Sequence, residues 1–201
     1  MLVYLIRHGQ TAHNAEGRIQ GWLDVPLNAE GIEQARRLAL RLAAKPINVV
    51  YASPLSRAQE TARALADLRG AQLILDERLR EYNMGDWTGK TGDEIAATTS
   101  EFKHDGPQHQ IPGGESAQQM HDRVSAFIGR LMSQHGAGKS HVAVVSHGGT
   151  LGAFVGTMLS MPVVRRHPFT FGNTSITEMQ WVEGRWRMRT HNDRHHLRSE
   201  P

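Results

Sequence analysis

The 201-residue sequence contains no cysteine, few aromatic residues and no long apolar run. The lack of cysteine excludes a disulfide framework and a thiolate metal site, and it is typical of a reducing compartment. No apolar run is long enough to cross a membrane, and no secretory signal is evident at the N-terminus. We therefore expect a cytoplasmic protein with no membrane partner.

The charge balance is only slightly basic, with 23 Lys and Arg residues against 20 Asp and Glu residues. The excess lies late in the chain, in Arg165, Arg166, Arg185, Arg187, Arg189, Arg194 and Arg198. Such a cluster could bind nucleic acid. However, the arginines of 185–189 alternate with Trp186 and Met188, as expected on the solvated face of a hairpin at a sheet edge. We therefore predict no nucleic-acid partner.

The order of apolar and amphipathic segments favours an α/β fold with a mostly parallel sheet, in a single domain spanning 1–201. Strands are predicted at 2–6, 47–51, 73–75 and 142–145, and an edge hairpin at 175–189. Helices are predicted after Asn28, from Pro54 to about Leu68, from Thr91 to about Phe102, from Ser116 to about His135, and up to Leu159. Residues 11–28 are predicted to be an irregular loop, 82–112 a small helical lid insertion, and the segment from Thr190 a polar tail.

Capping signals place one helix start next to a cation. Ser53 is a suitable N-cap and Pro54 a suitable first helical residue, which puts Arg57 in the first turn. The free N–H groups of that turn would also attract an anion. We therefore expect Arg57 and this helix N-terminus to act together.

Two apolar strands each end in a histidine followed by glycine. These are the strands that lead into Arg7-His8-Gly9 and Ser146-His147-Gly148. Parallel strands present their carboxyl ends at one edge of the sheet, so both histidines should meet there with Arg7 and Arg57. We expect each glycine to let the backbone approach a ligand. Two guanidinium groups and two imidazoles form a pocket suited to a phosphate dianion.

One histidine of this pocket can act as a nucleophile, because a neutral imidazole has a free lone pair. We hypothesise that His8 attacks phosphorus. The leaving alkoxide needs a proton, and with no metal site in the sequence a carboxylic acid must supply it. Glu81 follows the third predicted strand and is the candidate. The alternative for Glu81 is a surface ion pair with Arg78 or Arg80.

Four segments in order resemble motifs of the histidine phosphatase superfamily, also called phosphoglycerate mutase-like. They are Arg7-His8-Gly9-Gln10-Thr11, Ser53-Pro54-Leu55-Ser56-Arg57-Ala58, Leu79-Arg80-Glu81 and Ser146-His147-Gly148-Gly149. The segments 20–27 and 173–177 also look typical of that superfamily. The resemblance spans nearly the whole chain and implies a three-layer α/β/α sandwich.

The resemblance also implies roles for individual residues. His8 would become phosphohistidine, and Glu81 would be the general acid and then the general base. The phosphate or substrate would contact Arg7, Asn14, Gln20, Gly21, Arg57, His147 and Gly148. The resemblance implies no metal and no other cofactor.

The resemblance leaves a choice between phosphatase and mutase. The related mutases hold a substrate carboxylate with arginines in a longer insertion after the acidic residue, whereas this chain has no arginine between Arg80 and Arg123. The cations in that stretch are Lys90, Lys103, His104, His109 and His121. The sequence therefore favours a metal-independent phosphomonoesterase acting on small phosphorylated metabolites, with a 2,3-bisphosphoglycerate-dependent phosphoglycerate mutase as the alternative.

Other interpretations are weaker. Gly138-Lys139-Ser140 and Gly89-Lys90-Thr91 lack the earlier glycine of a nucleotide-binding loop. The histidines at 191, 195 and 196 lack metal-site spacing, and we expect them to be solvated. A phosphate-recognition module without catalysis would have lost the nucleophile or the acid. Tyr82 and Trp87 could line the pocket or pack the lid, and the edge hairpin could pair two copies into a homodimer.

Overall fold

A computed structural model of the chain describes residues 1–99 and 106–198, and in these residues six strands form one mixed sheet. The strands are β1 (Leu2–Arg7), β2 (Ile47–Ala52), β3 (Gln72–Leu75), β4 (His141–Ser146), β5 (Ile176–Val182) and β6 (Arg185–Asp193). Their order across the sheet is β3-β2-β4-β1-β5-β6. The first four run parallel, and the hairpin β5-β6 adds two antiparallel strands at one edge.

Helices cover both faces of the sheet. They are α1 (Ala12–Ala15), α2 (Ala29–Leu42), α3 (Ser56–Arg69), α4 (Gly92–Thr98), α5 (Ala117–His135) and α6 (Gly148–Met158). One core joins Leu38 of α2 and Leu65 of α3 to Ile6, whereas the other joins Phe127 of α5 and Phe154 of α6 to Leu5. The predicted α/β/α sandwich with an edge hairpin is confirmed.

The central strand β1 shows why a nearly continuous apolar run was needed. Val3 and Leu5 belong to the core under α5 and α6, whereas Tyr4 and Ile6 belong to the core under α2 and α3. Successive side chains of a strand point to opposite faces, so a strand covered on both sides must be apolar at every position. This burial fixes the point at which the strand delivers the next residue, His8.

The predicted irregular loop at 11–28 contains a short helix, α1. Thr11 Oγ1 accepts a hydrogen bond from the backbone N–H of Asn14, and Asn14 Oδ1 accepts one from the backbone N–H of Thr11. This reciprocal cap stabilises a helix of only four residues, which is too short to produce an apolar periodicity in the sequence.

The predicted start of α3 at Pro54 is wrong by two residues, because the helix begins at Ser56. Its N-terminus is capped from a distant loop: Asp24 Oδ1 accepts from Ser56 N at 2.7 Å, and Asp24 Oδ2 accepts from Ser56 Oγ at 2.8 Å. A carboxylate near the positive end of a helix dipole is stabilising. Arg57 still lies in the first turn, as predicted.

The insertion at 82–112 is attached to the loop after α1. Ile19 N donates to Lys90 O at 2.9 Å, and Gly89 N donates to Ile19 O at 2.7 Å. Thr91 caps α4 as predicted. The helix ends at Thr98 because the backbone of Thr99 is extended, so the predicted continuous run to about Phe102 is wrong; residues 100–102 lie outside the described residues.

The predicted polar tail after Thr190 is instead the end of β6 followed by a short 3₁₀-helix. Two of its histidines are packed rather than solvated, since the His191 ring lies 5.2 Å from the Phe171 ring and His196 Nε2 lies 3.1 Å from Thr174 Oγ1. Among residues 1–99 and 106–198, no helix is long and apolar enough to span a membrane and no group of acidic or histidine side chains could hold a metal ion.

Candidate active site

The two predicted histidines lie side by side at the carboxyl ends of neighbouring parallel strands. His8 follows β1 and His147 follows β4, and His8 N donates to Ser146 O at 3.0 Å. The ring centroids are 5.0 Å apart, and both side chains are buried. The parallel topology therefore brings together residues that are 139 positions apart in the sequence.

One hydrogen bond determines which nitrogen of the His8 ring carries the proton. Its Nδ1 lies 2.7 Å from the carbonyl oxygen of Gly9, which can only accept, so Nδ1 carries the proton and Nε2 has the free lone pair. Burial lowers the pKa of His8 well below its usual value, and the charges of Arg7 and Arg57 lower it further. His8 is therefore a neutral imidazole at neutral pH.

Arg57 is buried and Arg7 half-buried beside these rings, and backbone carbonyls fix both side chains. Arg57 donates to Leu23 O and Gly21 O at 2.8 Å each, and Arg7 donates to Phe171 O at 2.6 Å. Burial lowers the pKa of both guanidinium groups, with Glu81 opposing the shift. Arginine nonetheless stays protonated at neutral pH, so both carry a positive charge.

Several buried nitrogens of this cluster have no hydrogen-bond partner among the described residues. They are Arg7 Nε, Arg57 Nε, His147 Nδ1 and His147 Nε2. A buried polar atom without a partner costs free energy, so its presence indicates a ligand that supplies the missing bond. Cationic N–H donors around one point suit the oxygens of a phosphate group.

The carboxylate of Glu81 sits at the N-terminus of α6. Its oxygens accept from the backbone N–H groups of Gly149 at 3.2 Å, Thr150 at 3.0 Å and Tyr82 at 2.9 Å. A Cβ on Gly149 would lie 2.8 Å from Glu81 Oε1, so glycine at this position makes room for the carboxylate.

The alternative interpretation of Glu81 as a surface ion pair is not what the structure shows. Arg78 pairs with Asp76 at 2.6 Å, and Arg80 pairs with Glu77 at 3.1 Å. Both neighbouring cations therefore bind other acids, and the Glu81 carboxylate is left to face the cavity that contains His8.

Asn14 and Gln20 are held beside this cluster by loop contacts. Asn14 Oδ1 accepts from Thr11 N and from Asn173 Nδ2, each at 3.2 Å, which leaves its amide nitrogen as the group able to donate to an anion. Gln20 Oε1 accepts from Thr11 Oγ1 at 3.0 Å. Both side chains line the same cavity as His8.

The cavity has a volume of about 280 Å³ and brings together most of the predicted residues. It is lined by Arg7, His8, Asn14, Arg18, Ile19, Gln20, Gly21, Arg57, Glu81, Tyr82, Met84, Trp87, Gly149, Arg165 and Arg166. Gly149 lines it, whereas the predicted Gly148 and His147 are not among its lining residues, although the His147 ring lies beside the His8 ring. Tyr82 and Trp87 both line the cavity.

The sequence analysis gave two physical arguments for anion binding at this site that are wrong, one about Gly9 and one about the N-terminus of α3. A Cβ on Gly9 would lie 2.5 Å from Gly31 O, so Gly9 allows close packing of the loop against α2 rather than against a ligand. The first turn of α3 does not offer its Ser56 N–H to an anion, because Asp24 accepts from it. Arg57 therefore contributes its charge without the help of that helix N-terminus.

Among the described residues, the cations that the sequence offered for a second substrate group do not line the cavity. Lys90, His109 and His121 do not line it, and Lys103 and His104 lie outside the described residues. Arginines from elsewhere line it instead: Arg18 from the loop after α1, and Arg165 and Arg166 from the segment after α6. The sequence analysis counted Arg165 and Arg166 only among the basic residues that lie late in the chain.

A further group missed from the sequence holds the backbone of Glu81. Arg123 of α5 donates to the carbonyl oxygens of Arg78, Arg80 and Glu81 at 2.8 to 2.9 Å. Trp22 Nε1 also donates to Glu81 O at 2.7 Å. Bonds to backbone carbonyls leave no signature in a sequence, so no pattern could have identified them.

An α/β sheet that carries a neutral histidine, two arginines and a carboxylate at one cavity is suited to phosphoryl transfer. The family model of the histidine phosphatase superfamily (branch 1) matches residues 3–194. The chain belongs to this superfamily.

Some similar proteins are named as phosphoglycerate mutases and others as phosphatases. The "Probable phosphoglycerate mutase GpmB" of Enterobacter sp. (strain 638) is 38% identical over 188 residues, covering 92% of this chain and 86% of the relative. Among solved structures, Bacillus stearothermophilus YhfR has a TM-score of 0.88 at 33% identity, covering 98% of this chain and 99% of that one.

Two further solved structures are named as phosphatases. A mycobacterial glucosyl-3-phosphoglycerate phosphatase in complex with VO3 has a TM-score of 0.85 at 30% identity, covering 95% of this chain and 98% of that one. The α-ribazole phosphatase of Shigella flexneri has a TM-score of 0.84 at 31% identity, covering 96% and 97%.

Proposed function

We propose that the chain is a metal-independent phosphomonoesterase that hydrolyses small phosphorylated metabolites through a phosphohistidine on His8. The observation that carries this proposal is the state of the His8 ring. Its Nδ1–H is bound to Gly9 O, its Nε2 has the lone pair, and it shares a cavity with Arg7, Arg57 and Glu81.

In the first step, His8 Nε2 attacks the phosphorus of the substrate, and the bond from phosphorus to the ester oxygen breaks. Arg7 and Arg57 hold the phosphoryl oxygens and offset their charge. The phosphorylated ring gains positive charge, which the Nδ1–H bond to Gly9 O stabilises. Glu81, in its protonated form, gives its proton to the leaving alcohol oxygen.

In the second step, the Glu81 carboxylate takes a proton from water as the water oxygen attacks phosphorus. The N–P bond breaks, the lone pair returns to His8 Nε2, and inorganic phosphate is released. Glu81 is protonated again, so the cycle closes with one water consumed. No step needs a metal ion or another cofactor.

The relatives support both phosphatase and mutase chemistry. The two phosphatases named above share the fold over nearly their whole length, and this favours hydrolysis. The GpmB name of the curated relative favours a 2,3-bisphosphoglycerate-dependent phosphoglycerate mutase as the second candidate. In a mutase the phosphohistidine would transfer its phosphoryl group to a second hydroxyl of the bound intermediate rather than to water.

The experiment that separates these candidates is phosphorus NMR of the protein with 3-phosphoglycerate, primed with 2,3-bisphosphoglycerate and containing EDTA. Inorganic phosphate as the main product supports the phosphatase. Formation of 2-phosphoglycerate would make the protein a mutase, and loss of all turnover in EDTA would contradict metal independence.

The nucleophile is tested by trapping the intermediate. Rapid mixing with p-nitrophenyl phosphate followed by an alkaline quench should leave a phosphoryl group on the peptide that contains His8, and His8→Ala should lose both this label and turnover. His195→Ala is the matched control, because His195 is exposed. Turnover that persists in His8→Ala would disprove the mechanism.

A further inference from the structure

The two backbone carbonyls that hold Arg57 belong to the residues on either side of Trp22. Arg57 Nη2 donates to Gly21 O, and Arg57 Nη1 donates to Leu23 O, each at 2.8 Å. Arg57 is buried, and these carbonyls accept from both of its terminal nitrogens. The position of the loop 20–24 therefore sets the direction of the Arg57 guanidinium group.

The loop 20–24 is a tight turn. Leu23 N donates to Gln20 O at 2.9 Å, and Gly21 has a φ of +50°, a conformation that favours glycine. Asp24 ties the far end of the loop to the N-terminus of α3. The side chain in the middle of this turn is that of Trp22.

Trp22 anchors the turn to the backbone of the proposed acid. Its Nε1 donates to Glu81 O at 2.7 Å, and its ring lies against the Arg80 guanidinium group, whose central carbon is 5.0 Å from the ring centroid. In the described part of the chain, Trp22 belongs to neither hydrophobic core, and it is 39% exposed. Its contacts with residues 80 and 81 therefore matter more at this position than burial of the ring.

One turn thus contacts both halves of the proposed reaction. Its backbone holds Arg57, which binds the transferring phosphoryl group, and its side chain holds Glu81, which gives a proton to the leaving oxygen. Groups that act on one substrate must keep their spacing within about 0.5 Å for efficient catalysis. A shift of this turn would move Arg57 relative to Glu81.

We infer that Trp22 is a positioning residue, and that its N–H bond to Glu81 O maintains the spacing between Glu81 and Arg57. Trp22 is not among the described residues that line the cavity, so it acts through these two residues rather than on the substrate. The inference rests on the proposed function, because it needs Glu81 as the acid and Arg57 as a phosphate ligand.

Trp22→Phe tests the inference, since it removes the N–H donor and keeps an aromatic ring beside Arg80. Glu81 O keeps its bond from Arg123 Nη2, so we expect the variant to fold. The ratio of kcat/KM for glycerol 3-phosphate to kcat/KM for p-nitrophenyl phosphate should fall by about 2- to 10-fold, which corresponds to one net hydrogen bond. The nitrophenolate leaving group needs no proton, so its reaction is less sensitive to Glu81.

Binding of inorganic phosphate tests the contact with Arg57. The Kd of phosphate, measured by calorimetry, should rise at least about 2-fold in Trp22→Phe, because the carbonyls that orient Arg57 are less firmly held. A merely structural role would change neither quantity. Partial unfolding lowers the amount of active protein, so it reduces the rates on both substrates equally and leaves the Kd of the folded fraction unchanged.

Two further variants serve as controls. Trp186→Phe is the matched control, because Trp186 lies on β6 with its ring 5.4 Å from that of Trp181, and it should leave the ratio and the Kd unchanged. Trp22→Leu removes the ring as well as the donor, so it separates the N–H bond from the contact with Arg80.

The unchanged chain provides a test that does not depend on the folding of a variant. Phosphate bound to Arg57 should make the turn more rigid, so adding inorganic phosphate should slow the hydrogen exchange of the Trp22 indole N–H measured by NMR. Exchange at the same rate with and without saturating phosphate would contradict the link between Trp22 and Arg57.

Each result of the variants has a defined meaning. A lower ratio together with a higher Kd in Trp22→Phe supports the inference. An unchanged ratio or an unchanged Kd in Trp22→Phe, or losses that only Trp22→Leu shows, would overturn it. The proposed function is judged separately by trapping the phosphoryl group on His8 in the otherwise unchanged chain, whereas phosphate binding and hydrogen exchange need no turnover.

Discussion

Arg123 Nη2 donates to the backbone carbonyl oxygen of Glu81 at 2.9 Å, across 42 positions of sequence. The same guanidinium binds the carbonyls of Arg78 and Arg80 at 2.8 Å and pairs with Glu115 at 2.7 Å. Arg123 thus joins α5 to the backbone that carries the proposed acid. We regard it as a positioning residue that acts through Glu81.

Arg123→Met should reduce both stability and catalysis. The substitution removes a partly buried donor from Glu115 and from three carbonyls, of which Glu81 O keeps its bond from Trp22 Nε1 and Arg80 O its bond from Thr150 Oγ1. We therefore expect a loss of about 1–3 kcal/mol of unfolding free energy. If Glu81 also moves, hydrolysis of alkyl phosphates should fall more than hydrolysis of p-nitrophenyl phosphate, whose leaving group needs no proton. Urea unfolding and kcat for the two substrates measure these effects.

Arg130→Met is the matched control for the loss of an ion pair on α5. Arg130 lies 2.9 Å from Asp76, which Arg78 also binds, so a partner remains after the substitution. We expect a loss of at most about 1 kcal/mol and unchanged kcat. Equal losses of kcat on both substrates in Arg123→Met would argue against a role through Glu81.

Glu81→Gln should separate proton donation from structure. The amide oxygen of glutamine in the place of Oε1 can still accept from the N–H groups of Thr150 and Tyr82, whereas the bond from Gly149 N to Oε2 is lost, so the start of α6 keeps most of its contacts. A lost general acid slows alkyl phosphate hydrolysis by about 10²- to 10⁴-fold, with a much smaller effect on p-nitrophenyl phosphate. A variant that hydrolyses glycerol 3-phosphate at the original rate would remove Glu81 from the mechanism.

Gly149→Ala should disturb the Glu81 carboxylate without unfolding the protein. The new Cβ would lie 2.8 Å from Glu81 Oε1, which is the mobile end of a side chain and can shift at small cost. We therefore expect reduced kcat on alkyl phosphates with a melting temperature close to the original. Gly129→Ala in α5 is the control, because no atom lies within 4 Å of its Cβ position.

The Gly129→Ala control has an expected result of its own. Alanine in an exposed helix interior stabilises by about 0.5–1 kcal/mol relative to glycine, and activity should not change. A loss of kcat in both glycine variants would show that the effect of Gly149→Ala does not come from its contact with Glu81.

The features predicted correctly are those with a local signal. The burial of β1 on both faces appears as five successive apolar residues, and the caps of α4 and α5 appear within three residues of Thr91 and Ser116. The meeting of His8 with His147 followed from the rule that parallel strands share one edge for their carboxyl ends. These inferences needed no knowledge of tertiary contacts.

Most of the errors involve contacts between distant segments. Helix α3 begins at Ser56 because Asp24 caps it there from a position 32 residues earlier. The cations of the cavity were sought between Arg80 and Arg123, because the sequence does not show that the segment after α6 reaches the site. His167 of that segment packs against α6 where Gly152 and Gly156 leave room for its side chain, and no spacing rule predicts this contact.

The half-buried His196 near the C-terminus leads to a prediction about the pH dependence of stability. Burial lowers the pKa of His196 to about 4, with Arg41, Arg194 and Arg37 adding to the shift and Asp193 opposing it. Between its usual value of 6.5 and about 4, the unfolded chain binds a proton at this residue and the folded chain does not. The free energy of unfolding should therefore fall as the pH falls through this window.

His196→Gln isolates this contribution from those of His8 and His147, whose lowered pKa values act in the same direction. Glutamine can keep a hydrogen bond to Thr174 Oγ1 but does not titrate, so the stability lost between pH 7 and pH 4.5 should shrink by roughly 1–2 kcal/mol, a range that allows for the partial exposure of His196. Urea unfolding at several pH values measures it. His195→Gln, at an exposed neighbour, should leave the pH dependence unchanged. Identical pH dependence in His196→Gln and the original chain would show that His196 takes up its proton equally in both states.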